Sequence, residues 1–229
     1  MLGLLLPSLT QGKPENRRSM HKKTSQACVD LLGKTTFEQS ERLETPRLFL
    51  RRFMAEDAFI LREYRQDEET ARYQYWDHQD YFRIHEAKAF VLAMAQSKPN
   101  QPGEWFQFAI AEKKNNKLLG DCAFRPNPEF PEEVLIGITI APNNQGVGFA
   151  AEATARFIDY LVWELEKERI VAKVDRRNAS SLRLLARLGF ETISTSPAPS
   201  YFKGELVYES LLVLEAKMWR ARTGRQPRP

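Results

Sequence analysis

The sequence predicts a mixed α/β fold (an α+β mixed sheet): a central twisted β-sheet flanked by helices. Three observations carry that expectation. Runs with period two recur along the chain, as at 134–141, where Val134, Ile136, Ile138 and Ile140 share one face and Leu135, Gly137 and Thr139 the other. Stretches of helical period lie between them, the longest from Phe149 to Lys167, with Ala150, Ala153, Phe157, Leu161 and Leu165 in one stripe. The order βααβββαβαββ then implies a mixed sheet with a strand–loop–helix–strand unit at its centre.

Residues 1–40 show no sustained period and read as a poorly ordered basic extension. The domain is expected over 41–218, with a basic tail at 219–229. It opens with a strand at Arg47–Phe53. A helix follows over Ala55–Tyr64, with acids in its first turn and Ala58, Leu61 and Tyr64 on its apolar face. Tyr73, Tyr75, Trp76 and Tyr81 crowd the next segment, before a second helix over Ile84–Ala95 and a breaker-rich loop at 97–103. Trp105–Glu112 and Lys117–Phe124 flank Asn115-Asn116, which suits a hairpin. After the strand at 134–141 and the long helix comes a short strand, Ile170–Val174. Asn178 then offers an N-cap to a helix that buries Leu182, Leu185 and Leu188 and stops at Gly189. Phe190–Thr195 and Leu206–Glu215 close the sheet across a Pro197/Pro199 loop.

At 229 residues and 42% hydrophobic, the chain can bury one full core, and its 28% charged and 11% aromatic content is globular rather than disordered. The net charge of +4 is uneven. Residues 1–36 carry +4 and the last eleven another +4, which leaves −4 for 37–218. Solvated tails are the favoured reading of that excess; nucleic acid or a ribosome touched through the tails is the lesser one. Cys28 and Cys122 form no CxxC pair and no zinc pattern, so neither a disulfide framework nor a metal is expected and a reducing, cytoplasmic setting is the default. No run approaches the ~20 apolar residues that cross a bilayer. Either a monomer or a homodimer is compatible with the composition.

A strand ending at Ala141-Pro142, then Gln145-Gly-Val-Gly-Phe-Ala150, then a long helix makes a compact anion site. Glycines remove Cβ atoms so that main-chain N–H groups approach phosphate oxygens, and the helix adds its unpaired N–H groups and positive dipole end. A Walker loop would need Gly-Lys-Ser/Thr, which is absent, and the dinucleotide fingerprint lacks its acid ~20 residues on. On its own the loop reads equally well as a turn that merely starts a helix.

The wider sequence resembles the GNAT acetyltransferase superfamily, and within it the RimJ/RimL-like branch. Gln145-Gly-Val-Gly-Phe-Ala150 fits the superfamily's Gln/Arg-x-x-Gly-x-Gly/Ala signature, and Gly137-Ile-Thr-Ile-Ala-Pro-Asn-Asn-Gln-Gly-Val-Gly-Phe-Ala-Ala-Glu-Ala153 is similar to the branch's strand–loop–helix unit. Asn178-Ala-Ser-Ser-Leu-Arg-Leu-Leu-Ala-Arg-Leu-Gly-Phe190 and Leu43-Glu-Thr-Pro-Arg-Leu-Phe-Leu-Arg51 match two further stretches, so the likeness spans about 43–215. It implies splayed central strands that admit acetyl-CoA, with the pyrophosphate on main-chain N–H groups of Gln145, Gly146, Val147, Gly148, Phe149 and Ala150 and the pantetheine arm beside Ile140. It also implies that Asn178 contacts the arm and Ser181 lies near the thioester sulfur, although the first also reads as an N-cap and the second as a first-turn residue.

Acyl transfer to an amine needs a proton acceptor, a donor to the developing oxyanion and charge relief for the thiolate. A main-chain N–H within 135–141 suits the oxyanion, and Ser181 is the candidate acid. The base departs from the pattern: many chains of the branch read Glu-Ile-Gly-Tyr-Trp where this one has Leu135-Ile-Gly-Ile-Thr139. Glu133, two residues earlier on the same face, is the substitute candidate, acting through a water. Trp76 is the candidate wall of the amine-acceptor site. The expected activity is transfer of acetyl from acetyl-CoA to a primary amine, a protein N-terminal α-amine or a small-molecule amine, in a ternary complex, with a CoA-binding regulatory or catalytically weakened module as the alternative.

Overall fold

The computed structural model describes residues 42–224 except Tyr75, Phe82 and 196–198. The expected extension at 1–40, the end of the expected tail from 225, Pro197 and Cys28 lie outside the described residues, as do Tyr75 and the side chain of Tyr81.

The first strands, β1 (Leu43–Glu44) and β2 (Leu48–Arg51), lead into α1 (Asp57–Arg65), whose buried face is Ala58, Leu61 and Tyr64. A one-turn helix, α2 (Glu68–Ala71), follows because the Asp67 carboxylate accepts from the Thr70 N–H at 2.7 Å and caps it. Next come α3 (Ile84–Gln96), β3 (Phe106–Glu112), β4 (Leu118–Pro126) and β5 (Glu133–Ile140).

The helix expected over 149–167 divides. α4 (Phe149–Asp159) passes into a π turn at Tyr160–Glu164, closed by Leu165 N–H donating to the Tyr160 carbonyl at 3.0 Å. The wider turn advances each residue through a smaller angle, so Tyr160, Leu161 and Val162 are all buried although consecutive. β6 (Arg169–Asp175) and α5 (Ala179–Leu188) match expectation, with Asn178 as N-cap and Gly189 as the left-handed C-cap at φ 94°.

The closing strands also differ from expectation. After β7 (Glu191–Thr195), a small hairpin of β8 (Ser200–Phe202) and β9 (Glu205–Val207) precedes β10 (Glu209–Glu215). Lys203 and Gly204 turn it with φ of 49° and 83°, the paired positive angles of a tight hairpin. A final helix, α6 (Ala216–Thr223), crosses residue 218, where the sequence reading ended the domain. Trp219 is buried there and its indole N–H donates to Asp159 at 2.9 Å.

Eight strands form one sheet in the order β1-β2-β3-β4-β5-β6-β10-β7, antiparallel at every step except β5–β6, which is parallel. Val134, Ile136 and Ile140 face α4 and α5 within the larger core, which includes Phe157, Leu161 and Leu185. The other face carries α1 and α3 on a smaller core of Phe53, Leu61, Tyr64, Val91 and Ala109. Alternation therefore turns Leu135, Gly137 and Thr139 toward that second face.

Two glycines of neighbouring strands have opposite surroundings. A Cβ on Gly120 would overlap the Thr139 carbonyl and stand 2.9 Å from Ile140 Cα, whereas a Cβ on Gly137 would meet nothing within 4 Å. Gly120→Ala is therefore expected to cost about 3 kcal/mol or more in urea unfolding, and Gly137→Ala about 1 kcal/mol or less. Equal losses would remove close approach as the reason for Gly120.

Candidate active site

β5 and β6 pair only at Glu133↔Arg169, Val134↔Ile170 and Leu135↔Val171. Beyond Leu135 and Val171 the two parallel strands separate toward their C-terminal ends. On its other side β5 stays paired with β4 from Val134 to Ile140. The Ala141 N–H donates to the Leu119 carbonyl at 2.8 Å, so by alternation the N–H and C=O of Ile136, Ile138 and Ile140 point away from β4. For Ile138 and Ile140 that direction is the gap. A cleft edged by main-chain donors and acceptors opens in the middle of the sheet, and it suits a narrow ligand with amide groups of its own.

At the open end of the gap stands the glycine loop. Pro142–Asn144 forms a 3-10 turn, Gly146 and Gly148 take φ of 79° and 88°, and Gly148 is the N-cap of α4. The first helical hydrogen bond runs from the Glu152 N–H to the Gly148 carbonyl at 3.1 Å, so the N–H groups of Phe149, Ala150 and Ala151 are the open donors of the first turn. Gln145 is used differently from its neighbours. Its N–H donates to Pro142 (3.2 Å) and its side-chain amide to the Ile140 carbonyl (2.9 Å), bracing the loop against the strand. Val147 is exposed, and Phe149 lies under the Arg47 guanidinium, 4.6 Å from ring centroid to Cζ.

The head of α5 borders the same end of the gap, because it follows β6 directly. The Asn178 side-chain oxygen accepts from the Ser181 N–H at 3.1 Å, which fixes the first turn and places Ser181, half-buried, on it. Glu133 lies elsewhere. It begins β5 at the zipped end, where it pairs with Arg169 at 3.5 Å and accepts from Asn127 at 3.0 Å. Five residues of strand, ~16 Å, separate it from Ile138, and seven, ~23 Å, from Ile140. Trp76 packs on the smaller core with the buried Arg65 guanidinium 4.2 Å over its ring.

Two groups of residues escaped the sequence reading. On the α1 side, Tyr64 donates to buried Asp121, and Arg65 bonds Gln107 (3.0 Å) and Asp121 (3.4 Å). Burial, then the Asp121 charge, raises the Tyr64 phenol well above its ordinary range. Lys203, in the hairpin turn, donates to the carbonyls of Ala71 and Trp76 and ties β8–β9 over that wall. On the loop side, Glu152 accepts from the Thr45 hydroxyl (2.6 Å), the Arg47 N–H (2.8 Å) and the Arg47 side chain (2.6 Å). Burial opposes its ionisation, but these donors outweigh burial and hold the carboxyl below the usual range. No local pattern announces such contacts, since they join residues from 42 to 132 positions apart.

Residues 47–191 match the family model described as the acetyltransferase (GNAT) domain. The uncharacterized N-acetyltransferase p20 of Bacillus licheniformis is 31% identical over 151 residues, 66% of this chain and 83% of the relative. Among solved structures, the ribosomal-protein-S5-alanine acetyltransferase of Vibrio fischeri superposes with a TM-score of 0.66 at 22% identity, over 78% of this chain and 98% of that one. The ribosomal L7/L12 alpha-N-protein acetyltransferase RimL, solved with coenzyme A, gives 0.66 at 17% identity, over 76% and 98%. Among the described residues, no cluster of His, Cys, Asp or Glu could hold a metal ion and no helix is long and apolar enough to cross a membrane.

Because the folded Glu152 carboxyl is depressed, its contribution to stability is complete above the ordinary glutamate range near ~4.3 and is lost as pH falls through the folded value. Wild type is expected to exceed Glu152→Gln by roughly 1–2 kcal/mol in urea at pH 7, with the gap closing below about pH 4. A gap that does not change with pH would mean the carboxylate charge is not what the clasp uses.

Proposed function

The chain belongs to the GNAT acetyltransferase family, and from that membership we propose that it moves the acetyl group of acetyl-CoA onto a primary amine, a protein α-amine first among them, in a ternary complex. The early end of β5–β6 pairing supports this most, because it leaves main-chain groups of Ile138 and Ile140 facing a slot beside an anion loop. Acetyl-CoA supplies an acyl carbon already activated as a thioester. The chain's own residues do the rest. The N–H groups of Phe149 to Ala151 face the phosphates. The Ile138 N–H donates to the carbonyl oxygen as charge develops there. Ser181, on the turn fixed by Asn178, gives a proton to the departing sulfur.

The proton that the amine nitrogen loses on becoming the amide passes to Ser181 as Ser181 protonates the sulfur, so the transfer balances without a carboxylate from the described residues of the slot. Leu135 and Gly137 occupy the floor, Glu133 is ion-paired at the zipped end, and Asp121 is engaged by Tyr64 and Arg65. An acceptor must then arrive neutral. An α-amine, with a pKa of about 7.7–8.0 against about 10.4 for lysine, is neutral a few hundred times more often near pH 7.5. The alpha-N-protein activity in the name of the RimL neighbour points the same way. Leu135 also favours a second reading, a CoA-binding module with little turnover.

Calorimetry with acetyl-CoA tests the shared claim: no binding at millimolar concentration sinks both readings. Release of free CoA over a panel of peptides separates them. We expect free α-amines to exceed Nα-blocked lysine peptides at least tenfold in kcat/KM at pH 7.5; no release from any amine leaves only the module. Ser181→Ala is expected to lower kcat about tenfold or more with acetyl-CoA affinity nearly intact, and a change in affinity alone would make Ser181 a binding residue. Glu133→Gln is expected to stay within about twofold of wild type at every pH, whereas loss of an acid limb from the rate profile would restore it as the base.

A further inference from the structure

The glycine loop lacks a cation of its own. From Ala141 to Ala155 the chain has no Lys or Arg, and its one charged residue is Glu152, an acid in the first turn of the helix that would face the phosphates. The signature position open to Arg is Gln145, and its amide is turned back onto the Ile140 carbonyl. A pyrophosphate at this loop would meet helix N–H groups and a carboxylate, with no full positive charge from the segment itself. The compensating charge comes from the other end of the domain.

We propose that Arg47, at the start of the first strand, is a cofactor-binding residue that presents Nη2 to the pyrophosphate of acetyl-CoA while cancelling the charge of Glu152. The inference rests on the acetyl-CoA reading. Three contacts aim the guanidinium. Its Nε donates to Glu152 Oε2 at 2.6 Å, its Nη1 to the Val147 carbonyl at 3.1 Å, and its plane lies over the Phe149 ring. Nη2 has no hydrogen-bond partner among the described residues. It lies 3.4 Å from the position a Cβ on residue 148 would take, directly against the glycine that caps α4. Glycine at 148 is required by its φ of 88°, and it brings Nη2 into contact range of the cap of α4. Thr45 completes the device from the same segment. Its hydroxyl donates to Glu152 Oε1, so the carboxylate that orients Arg47 is itself fixed. The fork suits Arg and not Lys, because one planar group must bond the carboxylate, the carbonyl and a phosphate oxygen in different directions.

Arg47 is half exposed, so solvent and ligand both reach it. Other cations near the open end have engagements of their own: Arg177 pairs with Asp175 and Glu205, Arg176 stacks on Tyr208, and Arg183 donates to the Ser180 hydroxyl at 3.4 Å.

The test is calorimetric titration of acetyl-CoA and of S-acetyl-pantetheine, which lacks phosphate, into wild type, Arg47→Met and Arg47→Lys at two salt concentrations. Methionine keeps an apolar stem over Phe149 and removes the charge. We expect acetyl-CoA affinity to fall about tenfold or more in Arg47→Met, with part of the salt dependence of binding lost, and to fall less in Arg47→Lys. The phosphate-free thioester should lose at least tenfold less than acetyl-CoA does. Equal losses for both ligands, or unchanged salt dependence, would make Arg47 a structural residue only and overturn the assignment. Should Arg47→Met fail to fold, Arg47→Lys decides by the same comparison. If wild type binds no acetyl-CoA, the acetyltransferase reading fails first; if wild type binds and Arg47→Met binds equally well, only Arg47 is removed.

Discussion

Between Leu135/Val171 and their C-terminal ends, β5 and β6 run on as unpaired parallel neighbours in the middle of an eight-stranded sheet. Unpaired main-chain groups in a sheet interior are costly, and a sheet without support elsewhere would close the seam. Each strand is instead held from outside. β5 stays registered with β4 from Val134 to Ile140, and β6 with β10 over its whole length, from Arg169 to Asp175. The two halves of the sheet are thus complete up to the seam. The seam can remain apart because α4 and the π turn after it cross from the end of β5 to the start of β6 and bring Phe157, Ile158 and Leu161 into the core that backs the sheet.

Everything placed around the slot follows from which end opens. Both strands are parallel, so the loop after β5 and the turn after β6 come to the same end, and two helix N-termini face one space. One belongs to α4 and is left open; the other belongs to α5 and is closed by Asn178. That difference divides labour between an anion cradle and a fixed polar turn. The second sheet face is organised by buried polar contacts rather than by helix ends. Arg65 lies between Asp121, Gln107 and the rings of Trp76 and Phe90, an arrangement that fixes position more than it adds net stability.

Much of this was legible in the sequence because it is local. Alternation in 134–141 assigned both faces of β5 correctly, and Asn178 and Gly189 marked the ends of α5 by the chemistry of caps. The family likeness rested on the same local stretches. Less local features were hidden. The hairpin at 200–207 has strands of three residues, too short to show a period, and α6 follows β10 without an intervening breaker. The π turn depends on which residues the sheet needs buried, and the Thr45–Glu152–Arg47 clasp on how β2 meets α4. Glu133 shows the same limit in reverse. Alternation puts it on the face of Leu135, while its height relative to the slot follows from where β6 lets go, which no property of β5 encodes.

Leu135 and Gly137, on the sheet face of the slot, change what kind of catalyst it can be. Leu135 and Gly137 provide no base, yet they also provide no water-like surroundings for a bound ammonium. Burial disfavours the charged form of an amine, so the environment itself shifts a bound acceptor toward the neutral nucleophile. A main-chain N–H aimed at a developing oxyanion is stronger wherever fewer solvent dipoles compete with it. Held near the acyl carbon, a neutral amine gains most of its advantage from position, an effect worth many powers of ten in well-oriented pairs. On the proposed acetyl transfer, leucine in place of a carboxylate leaves the proton of the attacking nitrogen to pass to Ser181, and the reaction then favours amines that are already neutral at the working pH.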